Sequence, residues 1–178
     1  MGEASPNAAG LTGTTGLHIA AREGKLDMTE ILLHFGADVN RKEDLSIGGQ
    51  TALHHAAVAN HLAIAKMLLR GGANPTMQNK LGHSPLHVAA RHGYFEMAKL
   101  LFSHGADVNQ RDYSGFNASY WAKEYRFFAI VELLGPPLYL STQQLCNYNK
   151  EALEILGLKL VMPKQKKGAK AKGKGKKK

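Results

Sequence analysis

Two short apolar segments lie within residues 82–109, and each places its apolar side chains at helical spacing. The first, residues 86–90, follows Ser84 and Pro85. Serine can cap a helix by accepting a hydrogen bond from a free backbone N–H, and proline suits the first helical turn. The second segment has its apolar side chains at Phe95, Met97, Ala98, Leu100 and Leu101. The spacing predicts two antiparallel helices joined by a turn, with Leu100 among the buried side chains.

The same unit recurs four times along the chain. Its opening glycine is found at Gly13, Gly49, Gly82 and Gly115, so the intervals are 36, 33 and 33 residues. The first three copies begin a helix with Thr-Gly-Leu-His, Thr-Ala-Leu-His and Ser-Pro-Leu-His, whereas the fourth has Asn-Ala-Ser-Tyr. Paired leucines follow in every copy, at residues 32–33, 68–69, 100–101 and 133–134. This periodicity predicts a stack of helical repeats.

Over residues 13–134 the chain resembles the ankyrin-repeat family, whose 33-residue repeat opens its first helix with Thr-Pro-Leu-His. The resemblance implies an all-α solenoid of about four helix-turn-helix repeats, at residues 13–48, 49–81, 82–114 and 115–134. It also implies a structural role for His18, His54 and His87, each bonded to the Thr or Ser three residues earlier.

The two ends of such a stack need surfaces that tolerate water or are covered. Residues 1–12 are predicted to be a flexible lead-in, and three extra residues lengthen the hairpin tip within residues 41–48. Residues 135–162 contain an amphipathic stretch, 141–156, which we interpret as a C-terminal capping helix on repeat four. The alternative is a segment that docks on another protein. In repeat one, charged side chains are expected to make the outer face polar: Arg22, Glu23, Lys25, Asp27 and Glu30.

The net charge of +9 is concentrated at the C terminus. Ten of the 23 basic residues are lysines from Lys159 onward, whereas all 14 acidic residues precede that lysine. Residues 163–178 are rich in lysine and glycine, so we predict a disordered tail. Its partner would be a polyanion: nucleic acid, anionic lipid or an acidic protein surface such as tubulin. The alternative is a solubilising tail or a nuclear-import signal. The candidate polyanion-binding residues are Lys164, Lys166, Lys167, Lys170, Lys172, Lys174, Lys176, Lys177 and Lys178.

Residue types that support catalysis or metal binding do not come together in the sequence. Cys146 is the only cysteine, so no internal disulfide and no cysteine zinc site can form. The nine histidines lack the accompanying carboxylates or thiolates of a zinc site. We therefore expect no enzymatic activity, no cofactor and no metal. Because no apolar run approaches the ~18 residues of a membrane span, we expect a cytoplasmic protein, with the nucleus as the alternative location.

Protein binding is the function that the resemblance implies. In ankyrin-like proteins the hairpin tips and first helices form a concave face. Aromatic and arginine side chains often dominate protein interfaces, so Leu81, Tyr113, Phe116 and Tyr125 form the predicted apolar centre. The alternative is that some of them, Phe116 above all, pack between repeats. The residues that this face would display are Gln50, Lys80, Leu81, His83, Arg91, His92, Arg111, Tyr113, Phe116, Glu124 and Tyr125.

Three functions are compatible with these features. The leading hypothesis is a non-enzymatic adaptor whose repeats bind one protein while the lysine tail binds an acidic partner, such as a cytoskeletal or ciliary filament. The second is a structural subunit of a cytoskeletal or ciliary, microtubule-associated assembly. The third is a nuclear protein that binds nucleic acid through its tail. In that third case binding should fall steeply with salt and disappear on truncation after Met162.

Overall fold

The computed structural model describes residues 5–135, which form eight α-helices in four antiparallel pairs. Each pair packs on the next pair along the chain, and these residues contain no β-strand, only two isolated bridges. The predicted all-α repeat solenoid is confirmed. The predicted capping helix and lysine tail lie outside the described residues. The helices are α1 (Gly16–Glu23), α2 (Leu26–His34), α3 (Ala52–Val58), α4 (Leu62–Arg70), α5 (Pro85–His92), α6 (Phe95–Ser103), α7 (Ala118–Glu124) and α8 (Phe128–Leu134).

The first helix of every repeat begins after a polar cap residue and ends at a left-handed residue. The Thr51 side chain accepts a hydrogen bond from the backbone N–H of His54 at 3.4 Å, and Asn117 is the cap of α7. The left-handed position is glycine in repeats one and three, but Asn60 in repeat two and Arg126 in repeat four, with φ of 56° and 63°. The repeat geometry therefore continues through the two copies that lack glycine there.

Small residues on the first helices determine how closely the repeats approach. The equivalent alanines Ala20, Ala56, Ala89 and Ala122 are all fully buried. Because a methyl group occupies little space, α1, α3, α5 and α7 pack more extensively on their neighbours than the second helices do. The stack can be concave on the side of the first helices only if these helices pack more closely than the second helices do.

The buried leucine of the third repeat is Leu101, and the prediction that Leu100 is buried was wrong. Leu101 has no exposed surface, whereas Leu100 is half-buried and lines a surface groove. In the 33-residue register Leu101 corresponds to Leu68, which is also fully buried, and Leu100 corresponds to the half-buried Met67. Neighbouring helical residues point about 100° apart, and here Leu101 faces the core whereas Leu100 packs at its edge.

The outer face of repeat one is more apolar than the sequence predicted. The five charged residues expected there are exposed, but Ile19, Met28 and Ile31 are exposed beside them. Met28 is 50% exposed, whereas its equivalents Ile64 and Met97 are at most 1% exposed. Repeats two and three are covered at this position because a preceding repeat packs on them. Repeat one therefore presents an interior type of surface at the N-terminal end of the described stack.

Residues 5–12 contact repeat one, which the sequence did not predict. The side chain of Asn7 donates a hydrogen bond to the carbonyl of Gly36 at 3.4 Å and accepts one from the backbone N–H of Asp38 at 2.6 Å. Asn40 joins repeats one and two in the same way, through the carbonyl of Gly72 and the N–H of Asn74. The segment before Gly13 thus follows the bonding pattern of an inter-repeat hairpin.

Gly93 is expected to be the most sensitive of the helix-ending glycines. Its φ is +76°, and an added Cβ would collide with the aromatic ring of Phe127 in the next repeat. Gly93→Ala should therefore cost more free energy of unfolding than Gly105→Ala, by ~1–3 kcal/mol. Gly105 is the matched control because its φ is +85° but an added Cβ would meet nothing within 4 Å. Equal losses in urea unfolding of the two variants would contradict the tight contact with Phe127.

Candidate protein-binding surface

The hairpin tips that precede the first helices are joined to one another by backbone hydrogen bonds. The N–H of Lys80 donates to the carbonyl of Gly48 at 3.0 Å, and the N–H of Tyr113 donates to the carbonyl of Leu81 at 3.2 Å. Each tip thus pairs with the tip of the preceding repeat. Side chains on successive tips are consequently displayed from one connected backbone rather than from independent loops.

Three histidines connect the helix starts to the tips. The Nδ1 atoms of His18, His54 and His87 accept from the backbone N–H of Thr15, Thr51 and Ser84 at 3.2–3.3 Å. Because Nδ1 is an acceptor, the proton of a neutral ring resides on Nε2. The Nε2 atoms lie 2.9–3.2 Å from backbone carbonyls of the following tips, which they reach as donors. The structural role implied by the family resemblance is therefore confirmed.

These rings are neutral because burial disfavours their charged form. Desolvation lowers the pKa of both His54 and His87 to about 4, although the backbone carbonyls they contact oppose the shift. Desolvation also lowers the pKa of His18. Both ring nitrogens of each histidine are already occupied by backbone partners. None of the three is available as a ligand or as a general base.

The eleven predicted binding residues lie on the tips and at the ends of the first helices. Leu81 and Tyr125 are about half exposed, at 52% and 46%. Arg91, His92 and Glu124 are also exposed. The remaining six are half-buried, and Phe116 is stacked on Tyr120 with 3.8 Å between ring centroids. Those six are Gln50, Lys80, His83, Arg111, Tyr113 and Phe116.

An arginine and several aromatic rings come together where repeats three and four meet. The guanidinium carbon of Arg91 lies 5.6 Å from the centre of the Trp121 ring and 5.8 Å from that of Tyr125. Trp121 and Tyr125 are stacked at 6.5 Å, and His83 approaches Trp121 edge-on at 5.8 Å. We call His83, Arg91, Trp121 and Tyr125 the Arg91 cluster. Three of its four members were predicted as binding residues, and the structure brings them together around Trp121.

Asp112 fixes the orientation of the Trp121 ring. The indole N–H of Trp121 donates to Oδ2 of Asp112 at 2.6 Å, and His83 Nε2 lies 3.5 Å from the same oxygen. Oδ1 accepts from the backbone N–H groups of Ser114 and Phe116. Burial would raise the pKa of Asp112, but the hydrogen bonds from His83, Phe116 and Trp121 outweigh it and lower that pKa. The aromatic surface is therefore anchored by an ionised, buried carboxylate.

The sequence interpretation did not include Trp121 or Asp112 in the binding surface. The repeat register could have drawn attention to Asp112, because Glu43, Asn79 and Asp112 are equivalent residues of successive tips. Glu43 is also buried, and its carboxylate lies 2.9 Å from Nε2 of His55, the residue equivalent to Trp121. A tip acid bonded to a first-helix ring thus occurs at two junctions of the stack.

The part of the chain that the structure describes contains no group of three or more His, Cys, Asp or Glu side chains that could bind a metal ion. Among the same residues, no helix has the length and apolar character needed to cross a membrane.

The comparison with protein families agrees with the repeat geometry. A family model described as "Ankyrin repeats (3 copies)" matches residues 2–79 and 68–149. The chain belongs to the ankyrin-repeat family. Ankyrin repeats typically act as non-enzymatic modules that bind other proteins. The first-helix and tip surface of this ankyrin stack is therefore its candidate binding surface.

The ankyrin stack is similar to short regions of much longer proteins. It is 40% identical over 74 residues to the ADP-ribosylation factor GTPase-activating protein AGD2 of Arabidopsis thaliana, which is 42% of this chain and 9% of that protein. It is 45% identical over 73 residues to the human Neurogenic locus notch homolog protein 1, or 41% of this chain and 3% of that protein. A rat mitochondrial disaggregase is 40% identical over 67 residues, or 36% of this chain and 10% of that protein. The chain thus spans at most a tenth of each of these curated relatives.

Proposed function

We propose that this chain is a non-enzymatic adaptor that binds a protein partner on the face formed by its first helices and hairpin tips, centred on the Arg91 cluster. The observation that carries the proposal is the anchoring of a partly exposed aromatic surface by a buried acid. The hydrogen bond between Trp121 and Asp112 spans 2.6 Å and restricts the indole to one orientation. A surface ordered before binding loses less conformational entropy when a partner arrives.

The residue types of the cluster support the same function. Tryptophan, tyrosine and arginine are the side chains most often found at the energetic centre of protein interfaces. Leu81 extends the apolar surface toward repeat two because it is exposed on the preceding tip. The three structural histidines have both ring nitrogens bonded. The face therefore offers contact area and directed hydrogen-bond donors, which suits binding rather than catalysis.

The lysine tail is proposed to give the adaptor a second, weaker partner. Ten lysines and no acid occur from Lys159 to the end of the sequence. Such a segment attracts polyanions through a salt-sensitive electrostatic term. An acidic protein surface, such as that of a cytoskeletal filament, is the partner that we propose, and it would place the protein in the cytoplasm. A structural subunit of a filament assembly and a nuclear protein bound to nucleic acid are the alternatives.

Replacing Tyr125 by alanine should weaken partner binding by about tenfold or more, because the side chain is exposed and stacked within the cluster. Affinity capture with the full chain, followed by mass spectrometry, identifies the partner, and calorimetric titration of the wild type and the variant measures the loss. The thermal unfolding temperature should change little.

Phe102→Ala is the matched control for this experiment. Phe102 is an aromatic residue of similar exposure, 44%, but it lies on a second helix. Its replacement should leave the affinity unchanged. If Phe102→Ala weakened binding as much as Tyr125→Ala, the first-helix face would not be the binding site. A chain ending at Met162 should retain this partner and lose the partners that are released by high salt.

A further inference from the structure

Cations outnumber acids on the proposed binding face of repeats two to four. One acid of this part of the face, Asp112, is buried with both oxygens engaged in hydrogen bonds. Glu124 is exposed at the end of α7. Residues 1–158 as a whole carry nearly balanced charge, so the positive surface is local. The cations on this part of the face are Lys80, Arg91 and Arg111.

Arg91 is the cation best placed to recognise a specific group. It is exposed, and its guanidinium lies over the rings of Trp121 and Tyr125. Within residues 5–135 it forms no ion pair with a carboxylate. Cation–π contact restricts the guanidinium plane while its N–H donors project from the edge of that plane. A pre-oriented guanidinium with available donors is suited to a planar acceptor, such as a carboxylate, that binds both of its ends.

We propose that the partner segment bound by this face is an acidic peptide, in which an Asp or Glu carboxylate pairs with Arg91 and a neighbouring apolar side chain packs on Tyr125. This proposal rests on the proposed function, because it assigns the chemistry of the partner at the same face. The half-buried Lys80 and Arg111 add positive potential along the tips on either side. Acids that flank the central carboxylate would therefore also be attracted.

An acidic peptide fits this face better than nucleic acid does. Duplex DNA binders typically neutralise about six to ten phosphates. The cations of this face are few, and Glu124 lies next to Tyr125, where it would repel a continuous phosphate backbone. A peptide can instead place one or two carboxylates against the cations and apolar side chains between them. Nucleic-acid binding at this face is consequently an outcome that would overturn the proposal.

The probe is a set of peptides selected from a random display library for binding to the full chain. The selection is carried out at a salt concentration that screens the lysine tail. The selected peptides should be enriched in Asp and Glu next to Leu, Phe or Tyr. Arg91→Gln should weaken binding of a synthetic selected peptide by about tenfold, and Arg91→Lys by less, because lysine keeps the charge but not the planar fork. The same peptide with Asn and Gln in place of Asp and Glu should bind the wild type about tenfold more weakly.

Arg70→Gln controls for net charge and for the tail. Arg70 is an exposed arginine at the end of a second helix, and this variant retains the lysine tail. It should bind the acidic peptide as the wild type does. Equal losses in the Arg70 and Arg91 variants would mean that the peptide follows overall charge, and the proposal would be wrong.

The outcomes also separate this proposal from the proposed function. The selected peptides could lack acids and bind Arg91→Gln as tightly as the wild type, yet bind Tyr125→Ala more weakly. That result would overturn the acidic-peptide proposal and leave the binding face in place. Peptides unaffected by Tyr125→Ala would overturn the binding face itself. A labelled single-stranded oligonucleotide should bind the wild type and Arg91→Gln equally, through the tail. A loss with Arg91→Gln would show that this face binds nucleic acid instead.

Discussion

Leu101→Ala is expected to lower the free energy of unfolding by ~2–5 kcal/mol, as for other fully buried leucines. Leu101 has no exposed surface and belongs to the core cluster that also contains Leu68 and Leu134 at the equivalent positions of repeats two and four. Its removal leaves a cavity that rigid neighbouring helices cannot fill. Since small domains are stable by only ~5–15 kcal/mol, urea unfolding monitored by circular dichroism should detect the loss clearly.

Leu100→Ala is the internal comparison. The same atoms are deleted one residue away, but Leu100 is half-buried at the edge of a groove. The loss should be smaller than that of Leu101→Ala, and the two variants should differ by more than ~1 kcal/mol. A Leu101→Ala cost below ~1 kcal/mol, or a larger cost for Leu100→Ala, would contradict the helical register described above.

Acidification from pH 7 to pH 5 is expected to destabilise the stack by ~4 kcal/mol through His54 and His87. Burial lowers the pKa of each to about 4 in the folded protein, from 6.5. Between these two pH values the unfolded chain binds protons that the folded protein does not. The contribution of the two neutral rings to the free energy of unfolding is therefore fully present above pH 6.5 and is lost as the pH falls toward 4. At pH 5 the loss is ~2 kcal/mol per histidine.

Urea unfolding at a series of pH values measures this dependence. A variant in which glutamine replaces His54 and His87 should be less stable at pH 7 but should lose much less between pH 7 and pH 5. His34→Gln, which replaces an exposed histidine at the end of α2, is the matched control. A wild-type protein as stable at pH 5 as at pH 7 would mean that folding does not lower the pKa of these two rings.

The fold could be predicted from the sequence because the residues that determine it recur at a fixed interval and lie close together within each repeat. The helix start recurs as Thr51, Ser84 and Asn117 at intervals of 33 residues, and each is a cap in the structure. The choice between Leu100 and Leu101 could not be made from a local pattern, since both are equally apolar. The choice depends on how α6 packs against its neighbours, which buries Leu101 fully and Leu100 only in part.

The binding surface was harder to predict because its geometry depends on distant contacts. Arg91 and Trp121 are 30 residues apart and meet only because α5 and α7 pack side by side. Tyr125 was predicted from its place in the repeat, which is a local property. The role of Asp112 depends on burial and on hydrogen bonds from His83 and Trp121, neither of which a sequence pattern expresses. The proposal for the whole face therefore needed both the repeat register and the packing.

The interior type of surface on repeat one has a consequence for protein engineering. Met28 occupies a position that a preceding repeat covers elsewhere in the stack, at Ile64 and Met97. Residues 5–12 already follow the bonding pattern of the hairpin that would connect such a repeat, through Asn7. A consensus repeat grafted onto the N-terminal side would thus cover Met28 and continue the hairpin hydrogen bonds through Asn7.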